Sequence, residues 1–556
     1  MDKPIVVVGA GPTGLTAAAN LARFGVPVRL VERATVPPDD RSRAAVVQPR
    51  TLELFDYLGI ADEATTAGMF IDELELINPS GSRGSLQFVR PGWLDSRYKS
   101  LLSLPQDQTE RILGALVERL GVSIERGVEL VSLSQTDAFV AVRLRHADGA
   151  LEDVEAEWVI GADGAHSTVR ELSGLTFPGV TYRDEGLIGD IEVEWRMPHA
   201  TVSLCPQAEG FLLVFPLPGE RHFRTIMIVP NETMSEDRDL GLDEFRERLA
   251  RMTPVGWGAD GGPPRIVRAN WLTRYRLHRR GVATYQTRRV FVAGDAAHIH
   301  SPVGAQGMNT GIQDAFNLTW KLALVSRREA PGWVVETYSE ERHRIGELLL
   351  NGTDRAFGFV AGHGWFSRTL RRIAPTLGAR ALGIPWIARR LVRFVSQLEI
   401  KYPNSRLSTE GPGAPRLGRN APCSGCRAPD VELQTSDGTT RTLFDELRGP
   451  AHVLLVFIGS SQPAIVSEIA TTLKQRFAAS IAVVGITTER HNTVPSLLFD
   501  VAGAAHARYG ARDGAIYLVR PDGHIGFRGA LSDTPALYHE LERRLLTRVA
   551  PPPSTL

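Results

Sequence analysis

The chain has 556 residues, of which 43% are hydrophobic, so it is too long for one domain and apolar enough to bury sizeable cores. Its 63 basic and 63 acidic side chains cancel, so the composition gives no sign of a surface for nucleic acid or an anionic membrane. Three cysteines argue against a secreted disulfide framework. With no cleavable apolar leader and no apolar run of bilayer length in the sequence, we expect a cytoplasmic enzyme.

The first predicted elements are a strand, a glycine-rich turn and a helix. An apolar run at residues 5–8 leads into Gly9, Gly11 and Gly14, and residues 15–24 continue as a helix. Glycines at this spacing allow a tight turn and a close approach of the backbone to a pyrophosphate at the helix N-terminus. The motif alone is weak evidence, so the elements around it decide the interpretation.

A second apolar strand at residues 28–31 ends at Glu32, which is followed by Arg33. A carboxylate at this place suits the ribose hydroxyls of a bound dinucleotide. It also argues that the ribose carries no 2′-phosphate, so NADP is not expected at this site. With strand, helix and acidic residue in place, the N-terminal segment predicts dinucleotide binding.

Two further motifs follow apolar strands. Asp163 and Gly164 come after the third strand, and this pair alone is typical of a simple turn. Gly294 and Asp295 end a strand near residues 290–293, before a Pro/Gly loop and an amphipathic helix from about Asn309. A carboxylate next to a helix start brings an acceptor and free N–H groups to one point, which suits a sugar hydroxyl beside a phosphate or an anionic ring.

The order GxGxxG, Asp-Gly, Gly-Asp resembles the group A flavoprotein aromatic hydroxylases, the p-hydroxybenzoate hydroxylase-like monooxygenases, over residues 1 to about 400. The resemblance implies that the first motif binds the ADP part of FAD and that Asp295 holds the ribitol. It also implies that Asp163 and Gly164 contact the flavin pyrophosphate and are linked to the use of NAD(P)H.

Smaller matches extend the resemblance. An arginine before a small residue, Arg43 with Arg41 as a second candidate, is implied to approach the flavin, although the charge pattern also fits a solvated helix start. Gln106 is implied to contact the cofactor from a helix start, and the backbone of the loop from Pro302 is implied to lie against the isoalloxazine ring. The full set of expected cofactor-binding residues is Gly9, Gly11, Pro12, Thr13, Gly14, Glu32, Arg33, Arg43, Gln106, Asp163, Gly164, Gly294, Asp295, Pro302, Gly304, Gly307, Met308 and Asn309.

Residues 176–269 contain alternating segments that predict an antiparallel sheet. In the resembling family this insertion is the substrate domain, and it divides the FAD-binding domain into residues 1–175 and 270–400. Phe211, Phe215 and Phe223 are candidates for an aromatic substrate pocket, with ordinary core packing as the alternative.

A Pro/Gly-rich linker is predicted at residues 401–430, followed at residues 431–550 by an α/β domain that resembles the thioredoxin-like C-terminal domain of the larger polyketide and phenol hydroxylases. The usual redox position after its first core strand reads Gly-Ser-Ser-Gln, so disulfide exchange is not expected there. Three interpretations are open for Cys423 and Cys426 in the linker: an accidental loop pair, half of a metal site, or a labile disulfide. No metal site is predicted, because a zinc site needs two further ligands. We interpret the domain as structural.

The resemblance implies an FAD-dependent monooxygenase in which NADH or NADPH reduces the flavin. O2 then adds at the flavin C4a, and the hydroperoxide hydroxylates a bulky, polyketide-like aromatic substrate. The alternatives are a Baeyer–Villiger oxygenase, a monooxygenase that inactivates an antibiotic, and a catalytically silent protein that binds flavin or another ligand. His298 and His300 are interpreted as packing or flavin-supporting residues, and no catalytic base is nominated. The oligomeric state cannot be read from the sequence.

Overall fold

The structure is a computed structural model. It describes residues 3–37, 44–77, 83–207, 210–230, 239–299, 306–361, 381–418, 421–458, 463–477, 481–489 and 497–547.

The N-terminal part of the chain builds a parallel sheet with helices packed against it. β1 is fully buried between β2 and β12, with Ile5 opposite Val28 on one side and Trp158 on the other. Continuous apolar strands are typical of a parallel sheet that is covered on both faces. The elements are β1 (Ile5–Val8), α1 (Pro12–Arg23), β2 (Val28–Glu32), β3 (Val46–Val47), α2 (Pro49–Leu58), α3 (Ala61–Ala67), β4 (Met69–Ile71), β5 (Glu73–Ile77), β6 (Arg83–Gln87), β7 (Leu101–Ser103), α4 (Gln106–Arg119), β8 (Ile124–Arg126), β9 (Glu129–Gln135), β10 (Val140–Arg145), β11 (Leu151–Ala156), β12 (Trp158–Gly161) and α5 (Thr168–Leu172).

The inserted segment forms a long, mainly antiparallel sheet. Its elements are β13 (Gly179–Glu194), β14 (Thr201–Gln207), β15 (Gly210–Pro216), β16 (His222–Pro230), α6 (Leu242–Met252) and β17 (Arg265–Gly281). The strands lie in the order β17-β13-β16-β15-β14, and β5 and β6 extend the β14 edge. Because β17 pairs with β13 as far as Arg280, the sheet continues past the boundary that the sequence predicted at residue 269.

The chain then returns to the parallel sheet. The elements of this part are β18 (Gln286–Thr287), β19 (Val290–Val292), β20 (His298–Ile299), α7 (Gly307–Ser326), α8 (Trp333–Ala361) and α9 (Pro385–Val395). β19 pairs in parallel with β12, so the sheet order is β18-β19-β12-β1-β2-β8. β20 pairs with the end of β17 and adds an edge strand to the inserted sheet.

The C-terminal part is a second α/β unit. Its elements are β21 (Thr409–Glu410), β22 (Glu432–Gln434), β23 (Thr440–Thr442), α10 (Leu443–Leu447), β24 (His452–Phe457), α11 (Ala464–Arg476), β25 (Ile481–Thr487), β26 (Leu497–Phe499), α12 (Ala504–Tyr509), β27 (Ala515–Val519), β28 (Ile525–Ala530) and α13 (Thr534–Arg544). The central strand β24 is parallel to β25 and antiparallel to β27. β21 pairs with β28, so part of the predicted linker belongs to this sheet.

The predicted fold class is confirmed: a Rossmann-like α/β domain with an inserted antiparallel sheet precedes a C-terminal α/β domain. A single apolar core contains side chains from β1, α7 and β24, so the parallel sheet and the C-terminal sheet share their packing across α7. Within the described ranges, no helix has both the length and the hydropathy that crossing a bilayer requires.

Candidate functional site

The turn between β1 and α1 has the geometry that its glycines predict. Gly9 has a φ of +103°, and a Cβ at this position would lie 2.4 Å from the Ala162 carbonyl oxygen. A Cβ at Gly14 would lie 1.8 Å from the Gly9 carbonyl oxygen. A Cβ at Gly11 would have no neighbour within 4 Å in the structure, so the backbone there faces open space at the start of α1. An anionic group fits against this helix N-terminus.

Glu32 ends β2 beside the same turn. One carboxylate oxygen accepts the N–H of Ala10 at 2.8 Å, and the other accepts the N–H of Ala34 at 2.9 Å. Glu32 and the exposed Arg33 line a cavity of about 220 Å³ that reaches Gly11. The three predicted residues therefore share one cavity wall.

The Asp-Gly motif lines the same cavity as Glu32. Asp163 accepts hydrogen bonds from the Ser167 hydroxyl at 2.5 Å and the Val169 N–H at 3.1 Å, which places its carboxylate at the start of α5. Burial raises the pKa of Asp163, and these two hydrogen bonds oppose the shift. Arg170 on the same helix donates to the Ala296 carbonyl oxygen at 3.2 Å, so α5 is fastened directly to the Gly-Asp turn.

A buried carboxylate on α7 stabilises the Gly-Asp turn through a hydrogen bond. Asp314 on α7 accepts the Gly294 N–H at 3.1 Å, contacts His298 Nε2 at 2.9 Å and pairs with Arg342 Nε at 2.6 Å. Burial alone would raise the pKa of Asp314, but the charges of Arg342 and His298 hold it below its ordinary range. Asp295 instead is exposed towards a larger cavity, and its carboxylate has no partner within the described chain.

The larger cavity has a volume of about 730 Å³ and continues from the smaller one at Gly11, Ala162 and Gly164. Its wall on the parallel-sheet side contains predicted residues from five segments, namely Gly11, Pro12, Thr13, Gln106, Gly164, Asp295, Gly307 and Met308. Its wall on the inserted sheet contains Ile188, Phe215, Arg224, Ile226, Tyr275 and Leu277. The two cavities thus form one cleft along the edge of both sheets.

Several predicted residues do not reach the cleft. Phe223 lies on the opposite face of the inserted sheet, with its ring 5.0 Å from that of Trp195, because side chains alternate along β16. Phe211 is 1% exposed and packs in the apolar cluster behind Phe215. The Asn309 amide accepts the Gln48 N–H and donates to the Val46 carbonyl, both at 2.9 Å, so this side chain joins α7 to β3.

Some expectations cannot be placed. Arg41, Arg43, His300, Pro302 and Gly304 lie outside the described residues. So do residues 459–462, where the sequence lacks the thioredoxin cysteines. Their expected roles stay predictions.

Sequence reasoning missed a charged group on the substrate side of the cleft. Arg224 is 1% exposed; it donates to Asp190 at 2.6 Å and to the Ala44 carbonyl at 3.0 Å, while its Nε has no partner within the described chain. Burial would raise the pKa of Asp190, but the hydrogen bond from His222 and the charge of Arg224 lower it to about 2. The available signal was a charged residue in the middle of two apolar strands, LIGDIEV and HFRTIMIV.

The cleft fits a flavin dinucleotide by its own chemistry. The backbone at Gly11 is open to a phosphate, and the Asp295 carboxylate is an unpaired acceptor. The buried Oε1 of Gln306 lacks a hydrogen-bond partner in the described structure, and α7 begins beside it with N–H groups that have no acceptor within the helix. A flavin dinucleotide offers a complementary group to each: its phosphates accept from the backbone at Gly11, its ribitol hydroxyls donate to Asp295, its ring N–H donates to the Gln306 Oε1, and its ring carbonyls accept from the N–H groups of the α7 start.

The fold and the cleft therefore define a flavin-dependent oxidoreductase with a chamber for an organic substrate. A family model described as "FAD binding domain" matches residues 2–353, and one described as "Aromatic-ring hydroxylase, C-terminal" matches residues 421–552. The chain belongs to the FAD-dependent aromatic-ring hydroxylases, as the sequence motifs predicted, and FAD is its cofactor.

Individual relatives cover from about two thirds to nearly all of the chain. The 6-methylpretetramide 4-monooxygenase of Streptomyces rimosus is 32% identical over 97% of this chain and 93% of its own length. The rifampicin monooxygenase of Streptomyces venezuelae is 37% identical over 63% of this chain and 70% of its own. The crystal structure of aklavinone-11 hydroxylase with FAD and aklavinone is 25% identical, covers 98% of both chains and superposes with a TM-score of 0.73.

Proposed function

We propose that the protein is an NAD(P)H-consuming monooxygenase that hydroxylates a bulky, multi-ring aromatic substrate. The observation that carries this proposal is the single cleft in which residues suited to FAD face an apolar wall of the inserted sheet. When bound there, FAD would supply the chemistry of reduction by NAD(P)H and oxygen transfer from O2.

The place of each residue in the cleft suggests which part of FAD it would hold. Gly11 and the start of α1 would hold the pyrophosphate, and Glu32 the adenosine ribose. Asp295 would accept from the ribitol, and the first N–H groups of α7, near Gly307 and Met308, would face the ring. The roles expected for Arg43, Pro302 and Gly304 remain part of this proposal.

The chain itself supplies a dry, oriented substrate chamber. Ile188, Phe215 and Ile226 give the inserted-sheet wall an apolar surface that excludes water from the reacting centre. Arg224 lines this wall, the Asp190 pair fixes its guanidinium, and its buried Nε–H has no acceptor in the described structure. We propose that this donor orients a phenolate or carbonyl oxygen of the substrate.

The rim of the cleft suits an anionic reductant. Arg276, which is exposed, and Arg280, which is half-buried, line the larger cavity. Positive charge at the entrance favours the phosphates of a dinucleotide. Because NADH and NADPH share these phosphates, both are tested below.

The bulk of the substrate is inferred from relatives. Two of the proteins that cover nearly the whole chain are named for multi-ring compounds, 6-methylpretetramide and aklavinone. A second candidate, inactivation of an antibiotic by oxygenation, is favoured by the 37% identity to rifampicin monooxygenase over 63% of the chain. Both candidates use the same cleft and differ in the compound that is accepted.

The experiment measures NADH and NADPH oxidation together with O2 uptake and H2O2 release, using multi-ring aromatic polyketides, simple phenols and a rifamycin. We expect multi-ring polyketides to stimulate oxidation with little H2O2 and to gain one oxygen atom. Stimulation by the rifamycin alone would support the second candidate. If bound compounds never accelerated flavin reduction or oxygen transfer with either nicotinamide, the proposal would be wrong.

Arg224→Lys tests the proposed donor. We expect kcat/KM to fall by about tenfold or more, because a charge-assisted hydrogen bond contributes about 1.5–3 kcal/mol. Arg268→Lys is the matched control, since Arg268 is on β17 of the same sheet but has a side chain that is 70% exposed. An equal effect of both substitutions would remove Arg224 from the proposal.

A further inference from the structure

Cys423 and Cys426 form a disulfide that closes the loop Cys423–Ser424–Gly425–Cys426. Both cysteines are partly accessible to solvent, whereas the third cysteine, Cys205, is fully buried in the inserted sheet. A paired, accessible C-x-x-C is the type of disulfide that exchanges with dithiols. The structure therefore favours one of the three sequence interpretations of this pair.

The loop is connected to the Gly-Asp turn of the cleft by direct contacts. The Gly425 carbonyl accepts the Tyr402 N–H at 2.9 Å. The Tyr402 hydroxyl accepts from Arg342 Nη1 at 2.9 Å, and Arg342 Nε pairs with Asp314 at 2.6 Å. Asp314 in turn accepts the Gly294 N–H, so three side chains link the disulfide loop to the turn that presents Asp295.

A second set of contacts leads from the loop to the start of α7. Arg427 directly follows Cys426, and its guanidinium pairs with the buried Glu53 of α2 at 3.0 Å. Gln48 is the N-cap residue of α2, and its N–H donates to the Asn309 side chain on α7. The loop is thus connected to the cleft at two places, the Gly294 turn and the start of α7.

We propose that Cys423–Cys426 is a redox site that a dithiol protein of the thioredoxin class opens, and that its opening weakens the hold on FAD. A thiolate of the donor attacks one sulfur, the Cys423–Cys426 bond breaks and a mixed disulfide forms. The second donor thiol then displaces the remaining cysteine. Two electrons and two protons reach Cys423 and Cys426, and the donor leaves as a disulfide.

The expected consequence follows from what the closed loop restrains. Without the covalent bond, Gly425 and Cys426 keep their contacts only through hydrogen bonds, such as the Gly425 N–H to the Ile525 carbonyl at 2.7 Å. Tyr402 and Arg427 are then held less firmly in position. Because their contacts lead to the Gly294 turn and to the α7 start, these two segments are held less firmly as well. This second half of the inference rests on the proposed placement of FAD.

The redox site is tested first by labelling, which does not depend on the cofactor. Full-length holoprotein is treated with dithiothreitol or with reduced thioredoxin, alkylated without denaturant and mapped by peptide mass. We expect Cys423 and Cys426 to be unlabelled before reduction and both labelled after it, with Cys205 unlabelled throughout. Labelling before reduction, or none after it, would overturn the redox site.

The coupling is tested by FAD affinity. Apoprotein is prepared in both redox states, freed of reductant under nitrogen and titrated with FAD by flavin fluorescence. We expect the Kd to rise at least about threefold on reduction. The C423S/C426S double variant should show the higher Kd, and dithiols should not change it. In the Tyr402→Phe variant, the rise in Kd on reduction should be smaller than in the parent.

Equal Kd values in the two states of the parent would overturn the coupling, even if the double variant failed to fold. Loss of FAD binding in both states would instead contradict the proposed cofactor placement, while the labelling result still decided the redox site.

Discussion

At the scale of single residues, the Gly-Asp turn depends on two carboxylates with opposite surroundings. Asp295 is exposed to the cleft and unpaired within the described chain, whereas Asp314 is 0% exposed and holds the turn through Gly294. The first is free to accept from a ligand. The second already has its partners, Arg342 and His298, so its contribution is to the folded state.

Substitution separates these two contributions. Asp295→Asn should raise the FAD Kd about tenfold and leave the Tm of the apoprotein unchanged, because it removes only a charge-assisted acceptor. Asp314→Asn should also lower the Tm of the apoprotein, since the loss of one partner of a buried pair costs about 3–5 kcal/mol. Fluorescence titration and calorimetry provide the two readouts. A Tm loss at Asp295 as large as that at Asp314 would contradict this division.

We expect the stability of the folded chain to depend on pH through Asp430. Burial raises the pKa of this carboxyl from 3.8 to about 7, and its Oδ1 accepts the N–H groups of Val431 and Phe444 at 3.1 Å. The folded chain therefore binds this proton more tightly than the unfolded chain. The resulting stabilisation is fully present below the unfolded pKa and is lost as pH rises through about 7.

Asp430→Asn keeps an acceptor that does not titrate. The variant should gain Tm over the parent by a few degrees at about pH 8, and by less at about pH 5. Thermal unfolding at the two pH values is the measurement. A gain that is the same at both pH values would show that Asp430 does not titrate as described.

At the scale of elements, α7 is the helix on which the cleft and the C-terminal domain meet. Its start lines the cleft, and its later polar side chains join a buried cluster with α8 and the C-terminal sheet. Glu341 on α8 accepts from Lys321 at 2.9 Å and from Arg520 at 2.7 Å. Although burial opposes it, Arg520 and Lys321 hold the pKa of Glu341 well below its usual range.

Glu341→Gln should be strongly destabilising, because it leaves Lys321 and Arg520 undercompensated away from water. We expect a loss of about 3–5 kcal/mol in the free energy of unfolding, measured by denaturant titration. Glu336→Gln is the matched control on the same helix, where the carboxylate is 58% exposed and pairs with Arg406, and it should cost less than about 1 kcal/mol. Similar losses for the two variants would contradict a special role for the buried cluster.

The elements also show how far the sequence could be interpreted. The turns at Gly9 and Gly294 were predictable, because strand, glycine and helix start are neighbours in the chain. The position of Phe223 was not, since β16 is apolar on both faces and alternation alone does not tell which face meets the cleft. The partners of α7 were also hidden, because Arg520 and Asp522 lie about 200 residues further along the chain.

At the scale of the whole molecule, one cleft runs along the junction of the parallel sheet and the inserted sheet, and the C-terminal domain supports it from behind α7. Bound FAD and an aromatic substrate would meet where the Phe215 and Arg224 wall faces Asp295 and the α7 start. We propose that one atom of O2 is transferred to the substrate at this junction.

The most direct test is the reaction under 18O2 with the compound that best stimulates NAD(P)H oxidation, followed by mass analysis of the product. We expect a product that carries one 18O atom, formed in step with the NAD(P)H consumed and with little H2O2. A product without 18O, or NAD(P)H oxidation that ends entirely in H2O2 with every compound that binds, would contradict the assignment as a monooxygenase.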